Sequence, residues 1–274
     1  MNAPTPNLEA AAPPLWSLAD LYDGPADPRV EADLEAARRA NGALAALKGK
    51  FLAVRGDAVE LGRMIAEGVR LYEEAANALW SVGAYASLAG SVGRDDPRWA
   101  QFEADVRAKS SAIGAEVLFF TLELNALEDT EIETALAADE AAARWRPWLR
   151  RVRLSRPHEL SPDLERILID RAPAVANWVR LYDDTLARLT ARGGKDNLTR
   201  SEALNRLSES VEDRRRAAAR GLAKALGERR DVLSLCFNTV AVEKQVEDRW
   251  RRYDSPVSGR NIANEVDGAA VEAL

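Results

Sequence analysis

Apolar residues recur every three or four positions through most of the sequence, and this spacing constrains the fold more than any other feature. It is clearest over residues 57–92, which predict a helical region, and over residues 97–126, which predict one long helix. Such spacing places apolar side chains on one face of a helix, where they can pack against neighbouring helices. A glycine pair within residues 189–199 separates two short segments and allows a β-hairpin. We therefore predict an all-α fold, a multi-helix antiparallel bundle with one small hairpin.

Capping signals predict where several helices begin. Ser161 followed by Pro162 is typical of an N-cap and a first helical residue. Residues 130–133 and 199–202 each have the spacing of a capping box, in which a Thr and a Glu three positions apart satisfy the first helical N–H groups. Pro173 predicts the start of a further helix.

Composition along the chain predicts three regions. Residues 1–14 are rich in Ala, Pro and Asn without periodicity, which predicts a flexible tail. Residues 15–200 are predicted to form an N-terminal helical domain, and residues 201–274 a helical segment that leads into a further domain. The last amphipathic pattern begins at Ile262 and continues to Leu274. We therefore expect the chain to end part-way through a domain.

Charge and residue usage exclude several classes of protein. The 274 residues carry a net charge of −6, which disfavours a nucleic-acid partner. No apolar run approaches the roughly 20 residues that span a bilayer, so no membrane association is expected. The N-terminus lacks a basic region followed by an apolar core, so we expect no secretory signal. The single cysteine, Cys236, cannot form an intramolecular disulfide. These features predict a cytoplasmic protein.

The only histidine is the first residue to consider for a metal site. His158 is followed by Glu159, like the start of the zinc-binding motif H-E-x-x-H. The fifth position is Pro162, which cannot bind a metal and which disfavours helical backbone in the residue before it. We predict that His158 lies in a loop just before a helix and has a structural role. A catalytic or metal-binding role is the alternative.

Other chemically suggestive side chains also favour structural roles. Cys236 lies in an apolar series, and a catalytic cysteine would need a base, for which only His158 is available. A buried, inert thiol is the preferred interpretation. The carboxylate pairs Asp183–Asp184 and Glu73–Glu74 lie on predicted helices, where adjacent side chains point about 100° apart. Neither pair can converge on one reacting group.

Two basic segments leave an alternative open. Residues 145–153 combine arginines with tryptophans, and residues 211–230 carry seven Lys and Arg side chains. Contact with nucleic acid is the alternative for both segments, and contact with a membrane is a further alternative for residues 145–153. Arginine stems packed on indole rings and a solvated helix face are the preferred interpretations. Glycine-rich phosphate loops, the G-x-S-x-G motif and Cys/His clusters for structural zinc do not occur in the sequence.

Several short segments together resemble a known family in their order along the chain. They are Leu15–Tyr22, Tyr85–Leu88, Phe119–Leu124, Pro157–Glu165, Ile167–Leu168, Ala176–Asp183, Leu198–Leu204, Glu212–Arg216 and Asn238–Lys244. The segment at Pro157 reads Pro-His-x-Leu-Ser-x-x-x-Glu. This series is similar to the N-terminal half of oligoendopeptidase F, a zinc metallopeptidase of the thimet-oligopeptidase-like M3 family.

The resemblance implies a function for a longer protein rather than for this chain alone. Family members hydrolyse short peptides with a zinc-bound water, and the glutamate of H-E-x-x-H is the general base. That motif and the downstream glutamate ligand are absent here. The resemblance therefore implies no catalytic residue and no metal ligand in this chain, with zinc held by a missing catalytic half. The chain would form one wall of the substrate channel and be inactive alone.

Residues that bind substrate are unknown at this level. Tyr253, Arg260 and Asn264 lie late in the chain and could face the missing half, although structural roles are preferred for them. A second hypothesis is a stand-alone helical module that binds proteins or peptides through an apolar groove, without catalysis.

Overall fold

A computed structural model describes residues 17–92 and 96–274. The all-α prediction is confirmed: helices dominate, and the strands described form one two-stranded sheet. The described residues divide into two compact units, the first ending at residue 120 and the second spanning residues 121–274. The predicted tail, residues 1–14, lies outside the described residues, and the predicted domain boundary near residue 200 stays a prediction.

The elements of the chain are as follows. In the first unit they are α1 (Pro28–Ala45), α2 (Lys50–Ala53), α3 (Ala58–Val92) and α4 (Pro97–Ala115), and α5 (Leu118–Ala126) contains the division between the units. In the second they are α6 (Asp129–Ala138), α7 (Glu140–Ala143), α8 (Arg146–Arg153), a 3-10 helix (Arg156–His158), α9 (Pro162–Ala187), β1 (Thr190–Gly193), β2 (Asp196–Thr199), α10 (Arg200–Arg206), α11 (Glu212–Glu228), α12 (Arg230–Arg251), α13 (Ser258–Ala263) and α14 (Gly268–Glu272).

The first unit is built around α3, against which α1 and α4 pack. The Tyr85 ring lies among three aromatic rings, with centroid distances of 5.1 Å to Tyr22, 6.2 Å to Trp99 and 6.1 Å to Phe102. All three contacts are edge-to-face, the arrangement that aromatic quadrupoles prefer. The apolar spacing of residues 57–92 thus produces the predicted helix and its core face.

The predicted hairpin near residues 189–199 is confirmed. β1 and β2 pair antiparallel, and Thr190 lies opposite Thr199. The turn uses Gly194 at φ +76°, a left-handed conformation that glycine adopts without steric cost. α11 packs on β1 so closely that a Cβ at Gly221 would overlap the Arg192 carbonyl group. The hairpin is therefore held by a helix that follows it in sequence.

Two predicted helix starts are confirmed. Ser161 caps α9, where its Oγ accepts a hydrogen bond from the Leu164 N–H at 3.4 Å. Thr199 and Glu202 form a capping box at the start of α10. The box predicted at residues 130–133 is wrong: α6 begins two residues earlier, and the Glu128 N–H donates to a carboxylate oxygen of Glu131 at 2.8 Å.

Two predicted helix boundaries are also wrong. Residues 97–126 form two helices, because the N–H groups of Glu116 and Val117 bond to carbonyls three residues back and tighten the chain there. Pro173 does not start a helix but lies inside α9. A proline removes one helix hydrogen bond. Pro173 is exposed, so water can hydrate the carbonyl left without a partner.

Within residues 17–92 and 96–274, no single helix is long and apolar enough to cross a bilayer. One pair of helices separated by a sharp bend meets that test by length and composition only.

Candidate functional site

The two longest helices of the second unit, α9 and α12, pack against each other but bury very little. Glu165 is the one buried residue among the 26 of α9, and Cys236 is the one among the 22 of α12. Their exposed large apolar residues are Leu164, Ile167, Val179, Leu181, Val232, Leu235, Phe237, Val242 and Trp250. A helix of a globular protein normally buries a full apolar stripe. These two helices instead present an extensive apolar surface.

A groove of about 730 Å³ runs between these helices, here named the α9–α12 groove. Its walls are largely apolar and include Ile167, Leu168, Val175 and Trp250. Charged residues also line it, and they include an ion pair between Arg171 and Glu243. The volume lies within the range of small-molecule and peptide pockets. The groove therefore combines an apolar interior with a few polar groups.

A charged pair closes one end of the α9–α12 groove. Arg251, the last residue of α12, donates two hydrogen bonds to the Glu165 carboxylate, at 2.7 Å and 2.9 Å. The Leu160 N–H donates a third at 3.0 Å. The two side chains are only 17% and 11% exposed. Burial raises the pKa of Glu165, but these hydrogen bonds outweigh it, and the pKa is lowered overall.

His158 fixes the turn before α9 to the end of α12. Its Nδ1 lies 2.9 Å from the carbonyl oxygen of Arg251. A carbonyl only accepts, so Nδ1 carries the proton. Arg251 returns a hydrogen bond to the His158 carbonyl at 3.3 Å, and the ring of Tyr253 lies 4.3 Å from the imidazole, centroid to centroid. His158 ends a 3-10 helix rather than lying in a loop, and the structural role stays a prediction.

A second partly buried carboxylate lies beside this pair. The amide nitrogen of Asn125 donates to Glu159 and, at 3.3 Å, to the carbonyl of Val152. Burial raises the pKa of Glu159, and the Asn125 hydrogen bond lowers it only in part. Glu159 and Glu165 therefore have pKa values shifted in opposite directions by their surroundings.

The structure does not bring Cys236 and His158 together. Cys236 is buried within α12, fifteen residues before the end of the helix that His158 contacts. At 1.5 Å per residue this separation is about 22 Å. A catalytic pair of these two residues is excluded. The buried thiol is as predicted.

The three candidate residues late in the chain, Tyr253, Arg260 and Asn264, do not lie in the walls of the α9–α12 groove. Tyr253 stacks near His158, and its ring would lie 3.1 Å from a Cβ at Gly259. Arg260 is exposed on α13, and Asn264 caps the end of that helix. Arg251, two residues before Tyr253, does line that groove. Whether the three face a catalytic half stays a prediction.

The comparisons with known proteins connect these elements to one family. A model for the N-terminal part of M3 peptidases, described as Oligopeptidase F, matches residues 123–190. The crystal structure of oligoendopeptidase-F from Enterococcus faecium matches with a TM-score of 0.68 and 16% identity, over 89% of this chain and 45% of that chain. This chain is similar to the N-terminal portion of oligoendopeptidase F. The resemblance inferred from short sequence segments is thereby confirmed.

The extent of each match limits what it shows. This chain spans less than half of the length of the E. faecium oligoendopeptidase F. At 16% identity, the structural likeness shows a shared fold. No curated protein matches the sequence. The stretch matched by the Oligopeptidase F model contains α8, the His158 turn and α9, and of these α9 forms one wall of the α9–α12 groove.

The metal that the oligoendopeptidase F resemblance implies does not fit the described residues. Among residues 17–92 and 96–274, no group of three or more His, Cys, Asp or Glu side chains could hold a metal ion. His158 hydrogen-bonds the Arg251 carbonyl through Nδ1, and the Glu165 carboxylate is bound by the Arg251 guanidinium group. We therefore route no catalytic step through these residues.

Sequence reasoning missed the pair that organises the site. Glu165 and Arg251 are 86 residues apart. In the sequence Glu165 stands out only as the end of the segment Pro157–Glu165, and Arg251 has no distinguishing pattern. A carboxylate one turn into a helix complements the helix dipole in any case. The signal available in the sequence was that Glu165 is a charged residue inside an apolar series. Its partner, Arg251, can be identified only from the packing of α9 on α12.

Proposed function

We propose that this chain is the N-terminal, non-catalytic part of a zinc metallo-oligopeptidase that hydrolyses short peptides. The observation that carries the proposal is the uncovered surface of α9 and α12, which bury one residue each and expose Ile167, Phe237 and Trp250. Long helices in proteins are stabilised mainly by packing of an apolar face. A catalytic half packed on these faces would remove apolar area from water, at about 25 cal/mol per Å².

In this proposal the chain forms one wall of a channel that admits short, unfolded peptides. Zinc and the attacking water would belong to the catalytic half, where zinc would supply an activated water and a glutamate would be the general base. The chain alone is expected to be inactive. We place the protein in the cytoplasm, a proposal that rests on its single cysteine.

The alternative is a stand-alone helical module that binds a protein or peptide. The α9–α12 groove favours it, because a volume of about 730 Å³ between two helices can hold an apolar peptide segment. The two hypotheses differ in what covers α9 and α12: a catalytic half of the same protein, or a separate partner.

The first test is to read the gene beyond the codon for Leu274. A reading frame that continues into H-E-x-x-H supports the peptidase proposal, and the extended protein should cleave a quenched fluorescent peptide. A stop codon directly after Leu274 would overturn it and leave the interaction module as the leading hypothesis.

A second test addresses the surface itself. If the peptidase proposal is correct, this chain alone should bind a hydrophobic dye and self-associate, because its apolar surface is uncovered. If it is a stand-alone module, it should be monodisperse and melt cooperatively. Substitution Trp250→Ser, on the α9–α12 groove, should lower dye fluorescence and self-association. Trp80→Ser, at a tryptophan that is 72% exposed in the first unit, is the matched control and should change neither. If Trp250→Ser and Trp80→Ser had equal effects, the α9–α12 groove would no longer support the proposed function.

A further inference from the structure

A second concave surface lies on the opposite side of the His158 turn in sequence, where α6 and α8 meet. It encloses about 590 Å³ and is lined by Arg146, Arg150, Arg153 and Arg156, together with only two carboxylates, Asp129 and Glu133. We name it the basic cavity. Its excess of arginine contrasts with the net charge of −6 for the whole chain. The peptidase proposal gives this cavity no role.

The arginines converge because of their spacing on α8. Arg146, Arg150 and Arg153 are separated by four and three residues, which places them on one face of the helix. Leu149, one position before Arg150, is buried and joins the lining of the cavity. The arginine spacing of α8 therefore builds a cationic concave face.

The arginines differ in how firmly they are held. Arg153 is 12% exposed and donates to the carbonyls of Leu124 and Leu127, each at 3.0 Å, and to Asp129 at 2.7 Å. These bonds fix Arg153 in place as a cap on the end of α5. Arg153 can therefore act on a ligand only through the electrostatic field of its positive charge.

Two arginines at the cavity remain available. Arg146 pairs with Glu133, but the two side chains are 32% and 51% exposed, and an ion pair of that exposure contributes little. Arg150 is exposed, and within the described part of the chain no carboxylate lies within ion-pair distance of it. A guanidinium group presents a planar set of donors that fits carboxylate and phosphate oxygens. An incoming anion can therefore bind Arg150 without displacing a partner.

The rest of the lining is apolar. Ile132, Leu136 and Leu149 are buried and contribute their side chains to the cavity wall, and Leu154 is 45% exposed at its edge. The apolar side chain that water reaches is therefore Leu154, and a purely inorganic anion would leave it in contact with water. We propose that the basic cavity binds a small amphiphilic anion, with a carboxylate or phosphate head on Arg150 and Arg146 and a short apolar body against Leu154.

Isothermal titration of the chain with three probes tests this proposal. Octyl phosphate and octanoate carry the two possible heads, and octanol carries the same body without charge. We expect at least one of the anions to bind and octanol not to. Arg150→Gln should weaken anion binding by about tenfold or more, as expected for loss of a hydrogen bond to a charged group. Arg144→Gln, at an exposed arginine outside the cavity, should leave binding unchanged.

The variants also decide where a probe binds, because the α9–α12 groove could hold an octyl chain. Binding of octyl phosphate alone assigns a phosphate ligand, and binding of octanoate alone assigns a carboxylate ligand. Both results support the proposal when Arg150→Gln weakens them. Failure of both anions to bind overturns it. Equal binding of octanol, or equal effects of Arg150→Gln and Arg144→Gln, also overturns it. None of these outcomes depends on peptidase activity.

Discussion

The buried pair between Arg251 and Glu165 gives the sharpest prediction about stability. Arg251→Gln removes two hydrogen bonds to the carboxylate and leaves Glu165 buried without a cation. Breaking a fully buried ion pair costs about 3–5 kcal/mol. The side chains of Arg251 and Glu165 are 17% and 11% exposed, so they are not fully buried. We therefore expect Arg251→Gln to lower the free energy of unfolding of the second unit by about 3 kcal/mol, the lower end of that range.

The chain provides a matched control on the same helix. Lys244 donates two hydrogen bonds to Asp248, at 2.8 Å and 2.7 Å, but Lys244 is 48% exposed. Lys244→Gln should therefore cost only about 0.5 kcal/mol. Urea unfolding followed by circular dichroism measures both, and hydrogen exchange of peptides from α9 and α12 shows whether the loss is local. Equal costs for Lys244→Gln and Arg251→Gln would refute the argument from burial.

The pH dependence tests the same argument independently. The pKa of Glu165 is lowered in the folded chain, so its contribution to stability is present above the unfolded pKa and is lost as pH falls through the folded pKa. In Arg251→Gln, burial acts without the opposing cation, so the pKa of Glu165 should rise above its unfolded value. The stability difference between wild type and variant should then shrink on acidification. A double variant, Arg251→Gln with Glu165→Gln, should lose less than Arg251→Gln alone.

Three further predictions concern particular residues. Gly221→Ala should lower the stability by about 2 kcal/mol, because the added Cβ would overlap the backbone of β1. Gly227→Ala places its Cβ in open space and should raise the stability by up to about 1 kcal/mol. Urea unfolding distinguishes a decrease from an increase. The pKa of Glu159 is raised in the folded chain, so its contribution to stability is lost as pH rises from the unfolded pKa through the folded pKa. Glu159→Gln should remove this loss and flatten the plot of stability against pH in that range. An unchanged pH dependence would contradict this. Ser161→Ala should cost about 1 kcal/mol in thermal or urea unfolding, and a cost near zero would show that Pro162 alone sets the start of α9.

Local signals determined much of the helical architecture. Ser161–Pro162 and the Thr199–Glu202 box started helices at the predicted residues, because a cap depends on atoms within one turn of chain. The same reasoning failed at Pro173, where a helix continued through a proline whose exposed side can be hydrated. It also failed within residues 97–126, where a single tight turn divides one apolar pattern into two helices. Caps are local, but continuity of a helix depends on what surrounds it.

The candidate sites required the tertiary structure. The sequence by itself determined the helical class, the hairpin, the order of segments shared with oligoendopeptidase F and the lack of an H-E-x-x-H motif. It did not determine that Arg251 would reach Glu165 across 86 residues, or that α9 and α12 would stay largely uncovered. Periodicity shows that a helix has an apolar face but not which surface covers that face. Pairing between distant residues and exposure of a face are decided only when the helices pack.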